Sequence, residues 1–543
     1  MASATTPRHN APMTTRDCDA ILIGGGHNGL VCAAYLARAG LKVTVLERRD
    51  VVGGAAVTEE FHPGFRNSVA AYTVSLLQPK VIADLELARH GLRIVQRKLN
   101  NFLPLPDDRY LVTGGGRTAS EVAKFSRRDA ERLPEYERRL DAIADELRAL
   151  ALQPPPNLVE GSWLKALPEL LRAGKLGKRV NALDATLRTD LLDLFAISAA
   201  EYLERFFESD PIKAVLGFDG VVGNYASPYT PGSAYVLLHH VFGEVNGIKG
   251  AWGHAIGGMG AITQAMAKSA AAAGVDIRVG AGVREVIVER GKAVGVVTDK
   301  GETLRARCVV ANVNPKLLYE RLLDPAVVPA PTRERMANWR CGSGTFRMNV
   351  ALSELPRFRA LPEPGDHLTA GIILAPSLDY MDRAYLDARA QGWSKQPIVE
   401  LLIPSTLDDS LAPPGRHVAS LFCQHVAPVL PEGRSWDAHR DEVADLMIDT
   451  VDHWAPGFKA SVLGRQVKSP LDLERDFGLL GGDIFHGALS LNQLFSARPM
   501  LGQADYRGAI PGLYLCGAGT HPGGGVTGAP GHNAARRIIA DLR

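Results

Sequence analysis

The chain has 543 residues, of which 22% are charged, and its 61 lysines and arginines nearly cancel its 59 aspartates and glutamates. That even balance, with aromatic residues at only 6%, leaves neither a basic surface nor a stacking platform for nucleic acid. The length is ample for a large core and two or more structural units.

Cys18, Cys32, Cys308, Cys341, Cys423 and Cys516 are scattered, with no C-x-x-C pair. They offer neither a redox dithiol nor a zinc site, and they suit a reducing compartment. No uncharged apolar run approaches the roughly 18 residues of a membrane span. The opening "MASATTPRHNAPMTTR" lacks an apolar signal core, so it reads as a disordered tail on a cytoplasmic protein. Its arginines and lack of acids leave a mitochondrial leader as the alternative.

Ala20–Ile23 is a short apolar run ending in glycines, the pattern of a buried strand. Gly24, Gly26 and Gly29 follow on G-x-G-x-x-G spacing. The first permits a tight turn, the second lets backbone approach a pyrophosphate, and the third lets helix and strand pack closely. Leu30–Ala39 has helical composition, Gly40 caps it, and its N-terminus aims free N–H groups at phosphates. Leu41–Leu46 is a second strand, closed by Glu47 where an acid bonds ribose hydroxyls. A lone glycine fingerprint is weak, but strand, glycines, helix, strand and acid in that order define a dinucleotide site. The glycine pair Gly53–Gly54 just beyond it suits FAD, which lies extended and needs a second backbone approach. Glu47 argues against a 2′-phosphate, while Arg48 and Arg49 keep NADP open.

"VTGGGRTASEVAKF" (112–125) has glycines without that spacing and reads as a turn. Leu133, Tyr136, Leu140, Ile143, Leu147 and Leu150 then mark an amphipathic helix. "QPPPN" (153–157) ends it, and a helical region continues to about residue 215. Within that region "WLKALPELLRAGKLGKRV" (163–180) sets Trp163 and leucines among Lys165, Arg172, Lys175, Lys178 and Arg179. Pro168 argues against one continuous helix there, so a solvated face is preferred over a peripheral membrane contact.

"IGGMGAITQAMAKSAAAAG" (256–274) is a glycine turn opening an Ala-rich helix. Strands are expected over Val275–Val279, Gly282–Glu289 and Ala293–Thr298, with "DKGE" as a hairpin turn, then "CVVANVNP" (308–315). Strand-like runs such as "PIVELLIPS" and "HVASLFCQH" fall within a mixed region, 316–498. "GLYLCGAG" (512–519) is an apolar strand running into glycines, and "THPGGGVTGAPGHNAARRIIADL" opens a terminal helix. A glycine-rich strand end with a helix N-terminus behind it can stabilise the negative charge of a reduced flavin.

With both ends in view, the chain resembles the phytoene desaturase-like flavoproteins, two-domain FAD enzymes related in fold to amine oxidases. The motifs that carry the likeness are "GGGHNGLVCAAYLARAG", "LERRDVVGGAAVTEEFHPGF", "GGMGAIT", "DLERDFGLLGGDIFHGALSLNQLFSARP" and "LYLCGAGTHPGGGVTGAPGHNAAR". The resemblance implies an α/β fold: a discontinuous Rossmann-type FAD-binding domain with a mixed α+β substrate domain. The tail at 1–16 would precede FAD-binding segments at 17–115, 251–315 and 499–543. A largely helical substrate segment at 116–250 and the substrate region 316–498 would complete the chain.

By the same resemblance Gly24, Gly26, His27, Asn28, Gly29 and Glu47 would surround the ADP half of a non-covalent FAD. Gly53, Gly54 and Ala55 would follow the pyrophosphate and ring, and Val283 would lie beside adenine. Gly517, Ala518, Gly519, Val526 and Gly528 would line the isoalloxazine. His486 and His521 are the polar side chains nearest the inferred flavin, as participants in the chemistry or as structural histidines. The desaturases usually carry Arg after the glycine pair, where this chain has Ala55.

The activity implied is an FAD-dependent dehydrogenase or desaturase taking a hydride from an apolar, isoprenoid- or lipid-like substrate. An oxygen-using enzyme such as a carotene ketolase is the first alternative, and a non-catalytic flavoprotein acting through protein partners the second. With no second nucleotide fingerprint, a nicotinamide is not expected to reduce the flavin directly.

Overall fold

The computed structural model describes residues 17–157, 159 and 163–543, with the side chains of 163–165 outside that description. The tail at 1–16 and the side chains of Trp163 and Lys165 therefore lie beyond it.

Two seven-stranded sheets organise the chain. In the first, Cys18–Ile23 pairs in parallel with Val43–Leu46 on one side and Thr303–Ala311 on the other. Asp276–Arg278 continues the parallel array at one edge, and Leu513–Leu515 adds to Thr303–Ala311 at the other. Ile21, Leu22, Val45, Val309 and Val310 are all fully buried, because helices cover both faces of a parallel sheet. His27–Arg38 makes the first crossover, and Ala529–Leu542 packs against it. Their contact is close because a side chain on Gly531 would overlap the Asn28 carbonyl. The first half of Thr303–Ala311 turns to antiparallel pairing with Lys292–Thr298, which is hairpinned to Val283–Glu289.

The second sheet runs Val462–Lys468, Phe346–Leu352, His417–Val426, Trp393–Leu402, Gly371–Leu374, Asn101–Pro104, Tyr110–Thr113. Here the structure differs from the expected segment boundaries. Asn101–Pro104 and Tyr110–Thr113, read as part of an FAD-binding segment ending at 115, pair into the substrate-side sheet. Conversely Leu318, Tyr319, Met336 and Trp339, counted with the region 316–498, bury against the first sheet. Gly253–Ala255 joins neither sheet and pairs with Ile94–Gln96.

Helices fill the interval to Val241 rather than stopping near 215. The longest, Arg127–Ala151, starts at Ser126, whose hydroxyl accepts the Asp129 N–H at 3.1 Å. Leu133, Tyr136, Leu140 and Ile143 form its buried stripe. The expected break at Pro168 does not occur: Trp163–Ala182 is one helix with the proline inside. Its position six residues into the helix removes one backbone hydrogen bond and bends the helix more readily than it ends it. Leu167, Leu170 and Leu171 are 49, 55 and 62% exposed on that helix. Among the described residues no helix is long and apolar enough to cross a membrane.

Candidate active site

The site begins where Cys18–Ile23 ends. Gly24 has φ +95°, a left-handed conformation that glycine adopts without strain, and turns the chain into the N-terminus of His27–Arg38. The Asn312 amide crosses the turn and donates to the Gly24 carbonyl at 3.3 Å. Gly29 sits so tightly against Gly24 that a Cβ there would overlap the Gly24 carbonyl, so the third glycine serves helix–strand packing. Glu47, 5% exposed, uses one oxygen to accept from Gly25 N–H at 2.8 Å and the other from Arg49 N–H at 2.9 Å. A carboxylate has about four acceptor positions, so it retains capacity for a ribose.

The second glycine segment lies directly beside the first. Gly53 N–H donates to Gly25 O at 2.9 Å, and Gly26 and Gly53 form an isolated parallel bridge. The C-terminal segment is tied in through His27, whose Nε2 lies 3.1 Å from Gly525 O. Burial pulls the His27 pKa down to about 4, so the ring is neutral and donates this bond.

These segments open onto a cavity of about 490 Å³. Gly24, Gly26, His27, Asn28, Glu47, Gly53, Gly54, Ala55, Val283, Ala518 and Val526 all line it, with Gly525 beside them. It continues without a break to the second sheet and the helical layer, where Tyr72, Phe218, Val222, Glu400, Phe422 and Phe485 form its wall. Gly29, expected at the ADP half, and three expected ring neighbours do not line it. Gly29 packs the helix as described; Gly517 backs onto Asn312 and Val313; Gly519 abuts Pro315; and Gly528, at φ +73°, starts the terminal helix. The run "GAGTHPGGGVTG" spends most of its glycines on corners, and only Ala518, Gly525 and Val526 reach the space.

The two histidines separate. His486 lines the cavity with φ +59°, and its Nδ1 is buried without a protein partner. Burial, helped by Arg498, pulls its pKa to about 4, so it is a neutral hydrogen-bonding ring at neutral pH. His521 lies behind the wall: its Nε2 is 3.1 Å from Leu150 O and its own carbonyl accepts from Tyr506. It is a structural histidine, and no part in the chemistry follows from its place.

The far wall carries polar groups that the sequence reading missed. Tyr72 donates to Glu400 at 2.6 Å and stacks on Phe422 with ring centroids 5.1 Å apart. Burial pushes the Glu400 carboxyl up, against the pull of Tyr72 and Arg97. Asp219, on the helix Asp210–Val221, has no side-chain hydrogen-bond partner among the described residues, and burial raises it to about 7. His239, its Nε2 also without a partner, is held to about 3 by burial. Glu400 stands alone among apolar residues in "PIVELLIPS", a lone acid in a buried strand and the one signal that pointed here. No cysteine lines the cavity, all six are free thiols, and no metal-binding cluster occurs among the described residues.

At the nucleotide end Asn28 Oδ1 and Arg49 Nη1 are buried without partners, beside a glycine cradle that side chains would fill. Unpaired polar atoms around a backbone cradle at a helix N-terminus fit a flavin dinucleotide, whose phosphates and hydroxyls would satisfy them. Fold and site together define a flavin-dependent oxidoreductase. The model of the flavin containing amine oxidoreductases matches residues 29–539, and the chain belongs to that family.

Pyridine nucleotide-disulfide oxidoreductase domain-containing protein 2 of Rattus norvegicus is 43% identical, covering 97% of this chain and 94% of its own. Phytoene desaturase (lycopene-forming) of Pseudescherichia vulneris is 26% identical over 96% and 99%. An oxidoreductase from Methanosarcina mazei superposes with a TM-score of 0.59 at 16% identity, covering 96% of this chain and 99% of that one. The enzyme is an FAD-dependent oxidoreductase with the α/β amine oxidase fold.

Proposed function

We propose that this enzyme is a dehydrogenase of the desaturase type. A hydride would pass from an apolar, isoprenoid- or lipid-like substrate to N5 of non-covalently bound FAD. Asp219 would take a proton from the neighbouring carbon, and a carbon–carbon double bond would form. The observation that carries this reading is the single cavity, which joins the glycine cradle to a wall of Phe218, Val222, Phe422, Ile484 and Phe485. A hydrocarbon offers little beyond shape and burial for recognition, and such a wall supplies both. The desaturase named among the relatives supports the same chemistry.

FAD, when bound, supplies the two-electron acceptor. Glu47 and the paired glycine segments would hold its ADP half, and Ala518, Gly525 and Val526 would bound the ring. Asp219 suits proton transfer because an unpartnered carboxyl near neutrality can both accept and release a proton. The apolar enclosure excludes water that would compete for that proton. The exposed leucines of Trp163–Ala182, flanked by Arg172, Lys175 and Lys178, would rest on an anionic lipid surface from which such a substrate is drawn.

Anaerobic mixing with fractions of a lipid extract, watched at the flavin absorbance band, tests the reading. The expected result is bleaching by an apolar fraction under argon and a product lighter by two hydrogens. A product that gains oxygen, and only in air, would replace this reading with the oxygen-using one.

A further inference from the structure

A cavity made only for hydrocarbon has no use for a buried cation, yet this one has Arg97 in its wall. Arg97 is 7% exposed. Its backbone is anchored through N–H to Trp252 O at 3.1 Å. Its guanidinium makes one protein hydrogen bond, from Nη2 to the Thr73 hydroxyl. No ion pair joins it to any carboxylate among the described residues, and Glu400 acts on it only through space.

The neighbourhood has a surplus of positive charge. Arg347, 1% exposed, stacks 4.6 Å from the Tyr72 ring centroid. It donates to Leu421 O at 2.6 Å and to the Ser420 hydroxyl at 2.8 Å. Against these two guanidinium groups stands Glu400, held by Tyr72 at 2.6 Å. With Glu400 ionised the surplus is one charge; with it protonated, two. Asp219, the remaining carboxyl of this wall, is raised to about 7 by burial, so the surplus is cancelled only when both carboxyls are ionised. An uncompensated buried charge is costly, and a bound anion would offset it. The free edge of Arg97 is a planar fork of N–H donors, the geometry that matches a carboxylate in bidentate fashion.

We infer that the substrate is an amphipathic acid, whose single carboxylate is held by Arg97 while its apolar chain runs along the aromatic wall toward the flavin. A diphosphate head fits less well: in this wall, among the described residues, Arg97 is the guanidinium that lines the cavity without a carboxylate partner, and one planar fork matches a single carboxylate better than a multiply charged group. The inference deepens the dehydrogenase reading and rests on it for the placement of the reacting chain.

The test uses the FAD-loaded enzyme with two matched sets: oleic acid, methyl oleate and oleyl alcohol; and farnesoic acid, methyl farnesoate and farnesol. Binding is read from perturbation of the flavin spectrum and by equilibrium dialysis. At least one acid is expected to bind tenfold or more tightly than its ester and alcohol. Arg97→Gln should erase that preference with FAD retained, and Arg97→Lys should keep part of it. Equal binding of acid, ester and alcohol by the wild type would overturn the inference, as would no binding of either acid. So would an undiminished preference in Arg97→Gln, or loss of FAD from that variant, which would assign the guanidinium to the cofactor. The wild-type comparison stands even where a variant fails to fold. Flavin bleaching by esters as readily as by acids would remove the carboxylate site and leave the dehydrogenase. Selective binding of acids with no donor able to bleach the flavin would do the reverse.

Discussion

Replacing Gly26 or Gly29 by Ala adds the same methyl group three residues apart, yet the two should fail in different ways. Gly26 has φ −71° and ψ 168°, open to any residue, so Gly26→Ala brings no backbone strain. The new Cβ would lie 2.9 Å from Asn312 Nδ2, the far end of a side chain that can swing aside. The folding cost is therefore about 1 kcal/mol. The methyl, however, occupies the path by which a pyrophosphate approaches the helix N-terminus. Loss of two charge-assisted hydrogen bonds at about 1.5–3 kcal/mol each weakens FAD binding by about a hundredfold to ten-thousandfold. At Gly29 the methyl overlaps the Gly24 carbonyl and lies 2.8 Å from Asn312 Nδ2. Backbone cannot step aside, so the helix must lift from the strand, at about 3 kcal/mol or more. Urea unfolding of the apoproteins, with FAD titrations followed by fluorescence quenching, separates the two. Gly26→Ala should be near wild type in stability and poor in FAD binding, and Gly29→Ala poor in both. FAD binding by Gly26→Ala within threefold of wild type, or equal stability of the two variants, would refute the reasoning.

Asp219 must be ionised to take a proton, so flavin reduction should rise with pH through about 7. Asp219→Asn should flatten that profile and slow the step by roughly a hundredfold or more. Because its folded pKa is raised, the native state binds more protons than the unfolded chain between about pH 4 and 7. Stability should fall as pH rises through that window in the wild type, and urea melts of Asp219→Asn should show less of the slope. Replacing all six cysteines by Ser or Ala should leave flavin reduction intact apart from packing losses, checked by stopped flow with an active donor; one essential thiol would contradict this. NADH and NADPH should bleach the flavin poorly under anaerobic conditions, since only one dinucleotide fingerprint is present; bleaching within seconds would reveal a nicotinamide site. Leu170→Glu with Leu171→Glu should abolish co-sedimentation with anionic vesicles without altering FAD content; unchanged sedimentation would remove the membrane contact.

The nucleotide end was legible because its constraints are local. A tight turn, a close helix–strand contact and an acid closing the second strand each demand a residue type at a set spacing, so the places of Gly24, Gly29 and Glu47 in the fold could be read from the sequence. The C-terminal glycines were legible as a site but not individually, since a corner and a cofactor contact both select glycine. Gly519 against Pro315 and Gly528 at the start of a helix became distinguishable only with their neighbours in place. The far wall was almost silent. Arg97 follows the strand Ile94–Gln96, Asp219 lies on the helix Asp210–Val221 and Glu400 on the strand Trp393–Leu402, and all three line one cavity. That convergence is long-range, and no spacing in the sequence records it. Pro168 misled because proline lowers helix propensity on average, while one residue in a twenty-residue helix can be carried by the rest.

The most direct test of the central claim is an anaerobic single turnover with the donor identified from the lipid-fraction screen. FAD bleaching and product mass are measured in the same sample. One flavin should be reduced for each substrate molecule that loses two hydrogens, with no oxygen incorporated. Substrate consumed without flavin bleaching, or a product of unchanged hydrogen count, would contradict the assignment of this enzyme as a dehydrogenase.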